Sequence, residues 1–285
     1  VIGADSGVTA HSTAAEVAAG VGRIAVTRRG ERSMVLEAFA TSPLRLLTPS
    51  NHGHAAWIFL SGYGGGLVDG DHILLDVHVE SGAAAYVASQ ASTKVYRSPR
   101  GTSTRTSIRV DDDALLVIAP DPVVCFRGSS CHQFLQCDLA SKGAVVIVDW
   151  MTSGRRMSGE RWRFTSYSSD LVVRQAGHLV AHDALVLRSA EGALLARMGR
   201  FDVLATIVVA GHSLAEYVAR LLAEARSRPV VRRAELLLSA SPLRGGDGCL
   251  LRIVGRSVQQ VGAAIRDALG FVPALLGEDP WARKW

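Results

Sequence analysis

The side chains that could ligate a metal or move a proton lie in small, separate groups. His52-Gly53-His54 could hold an ion, but beside Asn51 it reads as an exposed loop. His72, His78, His178, His182 and His212 are candidate bases. No Gly-x-Ser-x-Gly elbow and no His-Glu-x-x-His helix accompanies them. Cys131 and His132 are adjacent, which on a strand points them to opposite faces. Cys125, Cys131 and Cys137 follow a Cys-x5-Cys-x5-Cys spacing, unlike the closer pairs of structural zinc sites, and Cys249 stands apart. Strand parity puts the three on one face, and they read as ordinary buried thiols. Asp111-Asp112-Asp113 reads as a solvated turn rather than a cation site. These groups name no reaction.

The densest signal is Gly62-Tyr63-Gly64-Gly65-Gly66-Leu67-Val68-Asp69-Gly70-Asp71. A phosphate loop would need a Lys-Ser or Lys-Thr pair after the glycines, and a dinucleotide fingerprint would need a helix next; neither follows. Asp69 and Asp71 are only two carboxylates for a metal. The stretch therefore reads as a sharp turn between two strands. Upstream, 55–60 is a short apolar run. Downstream, His72, Leu74, Asp76, His78 and Glu80 alternate with Ile73, Leu75, Val77 and Val79, as in a half-buried strand.

The elements around this loop are mostly short strands. Residues 23–39 form a hairpin, and 42–49 is extended between two prolines. Further strands are expected over 83–90, 103–110, 114–119, 121–129, 132–139, 144–150, 161–167, 171–175 and 179–188. Their even spacing and Gly, Asp and Ser turns argue for stacked β-sheets, a solenoid or a sandwich. The last third adds two helices. Ser213-Leu214-Ala215-Glu216 and Ser257-Val258-Gln259-Gln260 have the form of capping boxes. They open the apolar faces Leu214, Val218, Leu221, Leu222 and Val258, Val261, Ile265, Leu269, with strands over 234–239 and 249–254 between. The tail 280–285 carries two tryptophans and should pack down. The fold class is mainly β, with two α-helices in the C-terminal part. Residues 1–22 form an N-terminal extension of flexible, small-residue composition, and 23–285 form a single domain without sequence repeat.

Of 285 residues, 48% are hydrophobic and 20% charged, as in a globular chain with a sizeable core. No apolar run has the length of a membrane span, and 1–22 lacks the pattern of a secretory signal. The net charge of +5 comes from arginines scattered in ones and twos, with no nucleic-acid motif. Solvated faces are the preferred reading of that charge, with a docking surface for an acidic protein partner left open.

Several strings, taken in order, resemble the UreD (UreH) urease accessory family. They are Pro43-Leu44-Arg45 with Pro49, the loop Gly64 to Asp71, Ser89-Gln90-Ala91-Ser92-Thr93-Lys94-Val95-Tyr96-Arg97, Pro120-Asp121-Pro122-Val123-Val124 with Phe126 and Gly128-Ser129, and Gly154-Arg155-x-x-x-Gly159-Glu160. Ser89, Ser92 and Cys125 depart from the family's usual Thr, Ala and Pro. Beyond about residue 190 the match is loose. The resemblance implies a non-catalytic, cytoplasmic scaffold of stacked β-sheets with two helices. Such a scaffold binds UreF, which recruits the GTPase UreG, and the hetero-oligomer docks on apo-urease to deliver nickel. GTP belongs to UreG; this chain holds no tight cofactor, only Ni²⁺ in transit, and neither nucleic acid nor membrane. The motif positions Gly64, Gly65, Gly66, Gly70, Lys94, Tyr96, Arg97, Gly154, Arg155 and Gly159 are expected to shape the fold.

An internal tunnel has been proposed as a nickel route in this family. A transported ion needs weak, exchangeable ligands. Asp71, Asp76, His78, Asp149 and Glu160, in or beside the matched segments, are the candidates here. The alternative is a stand-alone nickel storage or sensor protein built on His52, His54, His72 and His78. An unrecognised enzyme has no supporting motif.

Overall fold

Two strand patterns alternate along the chain, and the architecture follows from them. Strands with alternating burial have one face in water; strands buried at every position are covered on both sides. A computed structural model describes residues 20–282. The chain opens with the hairpin β1 (Gly20–Arg29) and β2 (Arg32–Ala40), followed by β3 (Leu44–Leu47). It then winds in coils. The first is β4 (Ala56–Gly62), β5 (Gly66–Leu67) and β6 (His72–Val79). The second is β7 (Ala84–Ser89), β8 (Thr93–Val95) and β9 (Thr102–Val110). The third is β10 (Leu115–Ile118), β11 (Val123–Cys125) and β12 (Ser130–Leu139). The fourth is β13 (Ala144–Thr152) and β14 (Ser166–Gln175), with a loop in place of the short middle strand.

Each strand pairs in parallel with its counterpart one coil on. β6, β9, β12 and β14 build the first sheet, β4, β7, β10 and β13 the second, and β5, β8 and β11 a narrow third strip. The first sheet has the order β15-β14-β12-β9-β6-β1-β2, where β15 is His178–Arg188. The second runs through β13 to β16 (Val203–Ala210), β18 (Gly248–Gly255) and β17 (Leu236–Pro242). This is the expected mainly-β stack of sheets. The coil repeat leaves no repeat in the sequence, because a coil needs only inward apolar positions and a corner, and many residues supply both.

Three layers result. The first sheet has a solvated outer face, so β6 alternates: Ile73, Leu75, Val77 and Val79 are buried and their neighbours are not. The second sheet lies between the first sheet and the helices, so β7 is buried at all of its positions. One core fills the space between the sheets, around Ile58, Val87, Leu116, Ile147 and Leu171. A second joins the other face of that sheet to α2 (Ala215–Ser227), α3 (Val258–Ala268) and α4 (Val272–Leu276). Tyr217 of α2 stacks on Phe271 at 4.4 Å. A third core surrounds Cys125, Cys131, Trp162, Phe164 and Tyr167. The short helix α1 (Leu194–Met198) lies before β16 and sends Leu194 into it.

The two expected long helices are α2 and α3; α1 and α4 are additional single turns. Ser257 caps α3, its hydroxyl accepting from the Gln260 amide at 3.2 Å. Gln260 does not reach back, because its side-chain amide donates to Glu235. Ser213 is not a cap. It sits inside a 3-10 turn, His212–Leu214, that precedes α2 and makes no capping bond. Val258 is exposed, so the buried face of α3 starts at Val261. The strand expected over 161–167 is a loop until Ser166, because Trp162 takes a left-handed backbone (φ 56°) and folds back to pair with Ser153. The strand over 121–129 shortens to β11. The expected extension gives up Gly20, Val21 and Gly22 to β1, and its other residues lie outside the described ones. Trp281 packs on the helix core; the rest of the tail beyond 282 also lies outside.

Candidate functional site: the hollow axis of the coils

The coils are not completely filled. A cavity of about 340 Å³ opens beside the glycine loop, walled by Gly62, Gly65, Gly66, Ser61, Gln90 and Ser92 at its mouth. A second, of about 140 Å³, lies further along the stack. The two share Leu60, Leu67, Leu75, Thr93, Thr104 and Thr106 as walls. A third, of about 160 Å³, lies under α3 and shares Pro120, Asp121, Val148 and Trp150 with the second. The walls are mostly apolar, with hydroxyls interspersed.

Asp149 stands in the middle cavity of this series. It belongs to β13 and lines the second cavity with Cys131, Gln133 and Ser169. Asp149 is part-buried and lines that cavity. Ser169 donates its hydroxyl to the carboxylate at 2.5 Å, and Tyr167 and Gln133 stand beside it. Burial pushes the Asp149 carboxyl above the usual carboxylate range, and the charge of Asp183 adds to that push. Burial also pushes the Cys131 thiol up to about 12, so at neutral pH it is a thiol, not a thiolate ligand.

A polar seam leads away from Asp149. Asp149, Thr206 and Arg252 are neighbours across β13, β16 and β18. From the opposing sheet Asp183 accepts from Thr206 at 3.2 Å and forms an ion pair with Arg252. Arg252 is half in solvent, whereas Asp183 is 8% exposed. The seam thus runs between the sheets from the cavity wall to the surface.

The motif positions gather along the third strip. Gly66 pairs with Lys94, and a Cβ there would overlap the Lys94 carbonyl oxygen. Gly64 and Gly65 shape the turn before it, and Gly70 lies against Arg100. Tyr96 meets Phe126 edge-on at 5.2 Å, and the Arg155 guanidinium covers the same ring at 4.1 Å. Glu160 clamps that guanidinium with two bonds of 2.8 and 2.5 Å. The Arg155 bonds hold the Glu160 carboxyl below its ordinary range. Gly154 fits where a Cβ would lie 2.6 Å from the Cys125 carbonyl oxygen, and Gly159 ends the turn between Arg155 and Glu160. Arg97 lies along Gly128, and Lys94 is exposed. Three separate strings of the sequence therefore form one stacked corner.

Of the five candidate nickel contacts, the structure places one, Asp149, on the cavity wall. Asp71 accepts from the Val68 amide in the glycine turn. Asp76 and His78 lie in an outer groove of the first sheet, where His78 bonds Asp111 at 2.9 Å. Glu160 belongs to the corner clamp. The four histidines of the storage alternative do not converge: His54 bonds the Leu275 carbonyl and His72 the Ser103 hydroxyl. Among the described residues, no three His, Cys, Asp or Glu side chains form a metal-holding group. Ser169, Gln133, Asp183, Thr206 and Arg252 escaped the sequence reading. Their signal was a polar residue at a core-facing position of an alternating strand, as Asp183 is between Ala181 and Leu185.

No helix among the described residues is long and apolar enough to cross a membrane. A family model described as UreD urease accessory protein matches residues 18–285. A protein of Sorangium cellulosum named urease accessory protein UreD is 49% identical over 94% of this chain and 85% of its own. A namesake from Anaeromyxobacter is 42% identical over 93% and 89%. Urease accessory protein D of Oryza sativa subsp. indica is 32% identical over 95% and 98%.

Proposed function

Because this chain belongs to the UreD family of urease accessory proteins, with a role in urease maturation, we propose that it is the scaffold through which nickel reaches apo-urease. In this reading it is non-catalytic and cytoplasmic. It binds UreF, through which the GTPase UreG joins, and docks on the urease subunits as one member of a hetero-oligomer. Ni²⁺ is cargo, and GTP stays on UreG.

The observation that supports the nickel part is the row of adjoining cavities with the Asp149 carboxyl on the wall of the middle one. Apolar walls with scattered hydroxyls hold an aqua-ion weakly, as passage requires. Asp149 is the one strong oxygen donor among the expected contacts on that wall. Because burial disfavours its ionised form, a cation bound there competes with a proton for the carboxylate. Capture is thereby coupled to proton release and reversed by acid. Cys131, held as a thiol, does not trap the ion. The storage alternative gains no support from its dispersed histidines.

The test is co-expression of the tagged chain with UreF and the urease subunits of its own organism, with and without UreG. Retention of UreF and apo-urease is expected. Urease activation should then fail in a Thr104→Leu variant, which narrows the wall shared by the first two cavities while partner retention persists. A chain that ignores both partners and binds Ni²⁺ tightly alone would overturn the scaffold reading.

A further inference from the structure

A strand at the end of a sheet carries unpaired amides and carbonyls that invite a further strand, and proteins usually blunt such edges with charge. The main path of the first sheet ends on β15 and β2, and that of the second on β17 and β3. Three of these edges are blunted. β2 carries Arg32 and Glu37, β3 carries Arg45, and β15 carries Asp183 and Arg188. β2 is also occupied near its start, where Ser33 donates its amide to the His54 carbonyl. β17 differs. Its sequence Leu236-Leu237-Leu238-Ser239-Ala240-Ser241-Pro242 has no charged residue, and among the described residues it pairs with β18 alone.

Two bonds fix which groups of β17 are open. Arg256 donates its amide to the Glu235 carbonyl, and Leu243 donates to the Gly248 carbonyl at 2.9 Å. Bonding alternates along an antiparallel pair, so Leu237, Ser239 and Ser241 bond toward β18. Leu236, Leu238 and Ala240 turn their amides and carbonyls to the open side, and Pro242 adds a carbonyl. The side chains of Leu236, Leu238 and Ala240 pack on the helix core but are only half-buried, because their apolar row stops at the edge.

We infer that the open edge of β17 joins two copies of this chain into a two-fold dimer, with the second sheet running unbroken from one copy into the other. An antiparallel ladder has a two-fold axis, so this edge is complementary to itself. The register that overlaps all seven residues centres on Ser239. It sets Leu238 opposite Ala240 of the second copy, each with an open amide and carbonyl. It sets Leu236 opposite Pro242, where the carbonyl of the proline accepts and its missing N–H costs only the outermost bond. A shift by one residue would bring groups turned toward β18 against open ones and form no ladder. Charge agrees with this register. The strand brings no like charges together. Beyond it, Arg232 and Arg233 of one copy come beside the turn 243–247 of the other, which carries the half-exposed Asp247, and Arg244 of that turn comes beside Glu235. A second copy is the one occupant whose matching surface the structure itself supplies. The inference goes beyond the maturation reading and does not depend on it.

The experiment is sedimentation velocity of the purified full chain over about 1–100 μM, the range suited to a small interface. Three variants accompany wild type. Ala240→Pro removes one open amide from each copy and no bond to β18, and proline is tolerated on an edge strand. Ser239 is exposed and meets its own copy on the axis, so Ser239→Lys and Ser239→Glu each set like charges face to face. Circular dichroism checks that each variant is folded. Wild type is expected to double in mass as concentration rises. The dimer should weaken about tenfold in Ala240→Pro and about fivefold in each charge variant. An equimolar mixture of Ser239→Lys and Ser239→Glu should associate again as a heterodimer. A wild type that stays monomeric throughout overturns the inference. So does a dimer that a folded Ala240→Pro leaves unchanged, or a mixture of the charge variants that associates no better than either alone. Should Ala240→Pro not fold, the charge pair decides.

Discussion

Replacing Asp149 by Asn should make the protein more stable and less useful. Asn keeps the shape and still accepts the Ser169 hydroxyl, so packing is conserved. What disappears is a group whose ionised form is disfavoured by burial. An unfolded Asp ionises near pH 4, whereas the folded carboxyl holds its proton longer. The wild type is therefore fully stable below the unfolded value. It loses stability as pH rises from there to the folded value, and is flat beyond. Every tenfold by which folding weakens the acid costs about 1.4 kcal/mol at neutral pH. In a chain of this size about 1 kcal/mol moves Tm by about 2–4 °C. Thermal unfolding by circular dichroism between pH 4 and 8 should show Asp149→Asn melting above wild type at neutral pH, with the gap closing toward pH 4. Urease activation in co-expressing cells should fall at the same time. Equal slopes against pH, or a variant that melts lower at pH 7, would refute the reasoning, since the carboxylate would then be held by its partners and not penalised by burial.

Other outcomes follow from the same geometry. Glu160→Gln should cost within about 1 kcal/mol at neutral pH, because the Arg155 partner is half exposed. Glu160's carboxyl is held low, so the wild type's advantage should vanish as pH falls through the folded value, which a urea midpoint series in acid would show. Gly66→Ala places a Cβ on the Lys94 carbonyl and should lower the urea midpoint by the equivalent of about 2 kcal/mol or more, whereas Gly30→Ala, with open space around it, should cost only about 1 kcal/mol of backbone strain. Arg252→Met leaves the buried Asp183 without its half-exposed cation and should cost about 1–3 kcal/mol, most of it recovered in Asp183→Asn/Arg252→Met.

Strand parity made most of the fold legible. Ile73, Leu75, Val77 and Val79 alternate because water covers one face of their sheet; residues 84–89 do not alternate because helices cover the other face of theirs. Where parity misled, tertiary contacts overrode it. Trp162 and Phe164 have the spacing of a strand, yet both turn into the third core from a loop. Ser213 has a cap's sequence context, but the left-handed Gly211 (φ 124°) starts a 3-10 turn that displaces the helix start. Asp149 was named only because it lies beside a matched segment. Its neighbours Ser169, Asp183 and Arg252 were not, because parity says which residues face inward and is silent on which of them meet across two sheets. The corner of Tyr96, Phe126, Arg155 and Glu160 was legible as strings but not as contact, since the coils bring it together from three turns.

A parallel coil stack is a one-dimensional crystal: the last ladder of one coil is a template for the next, and nothing in the repeat itself says when to stop. Here growth is ended by reversing direction. β2 runs antiparallel to β1, β15 to β14, β3 to β4, and β16 to β13. Those reversals leave a fixed number of coils between them, and so act as a ruler. The length of the hollow axis is set by where the chain turns back, not by any residue that lines it.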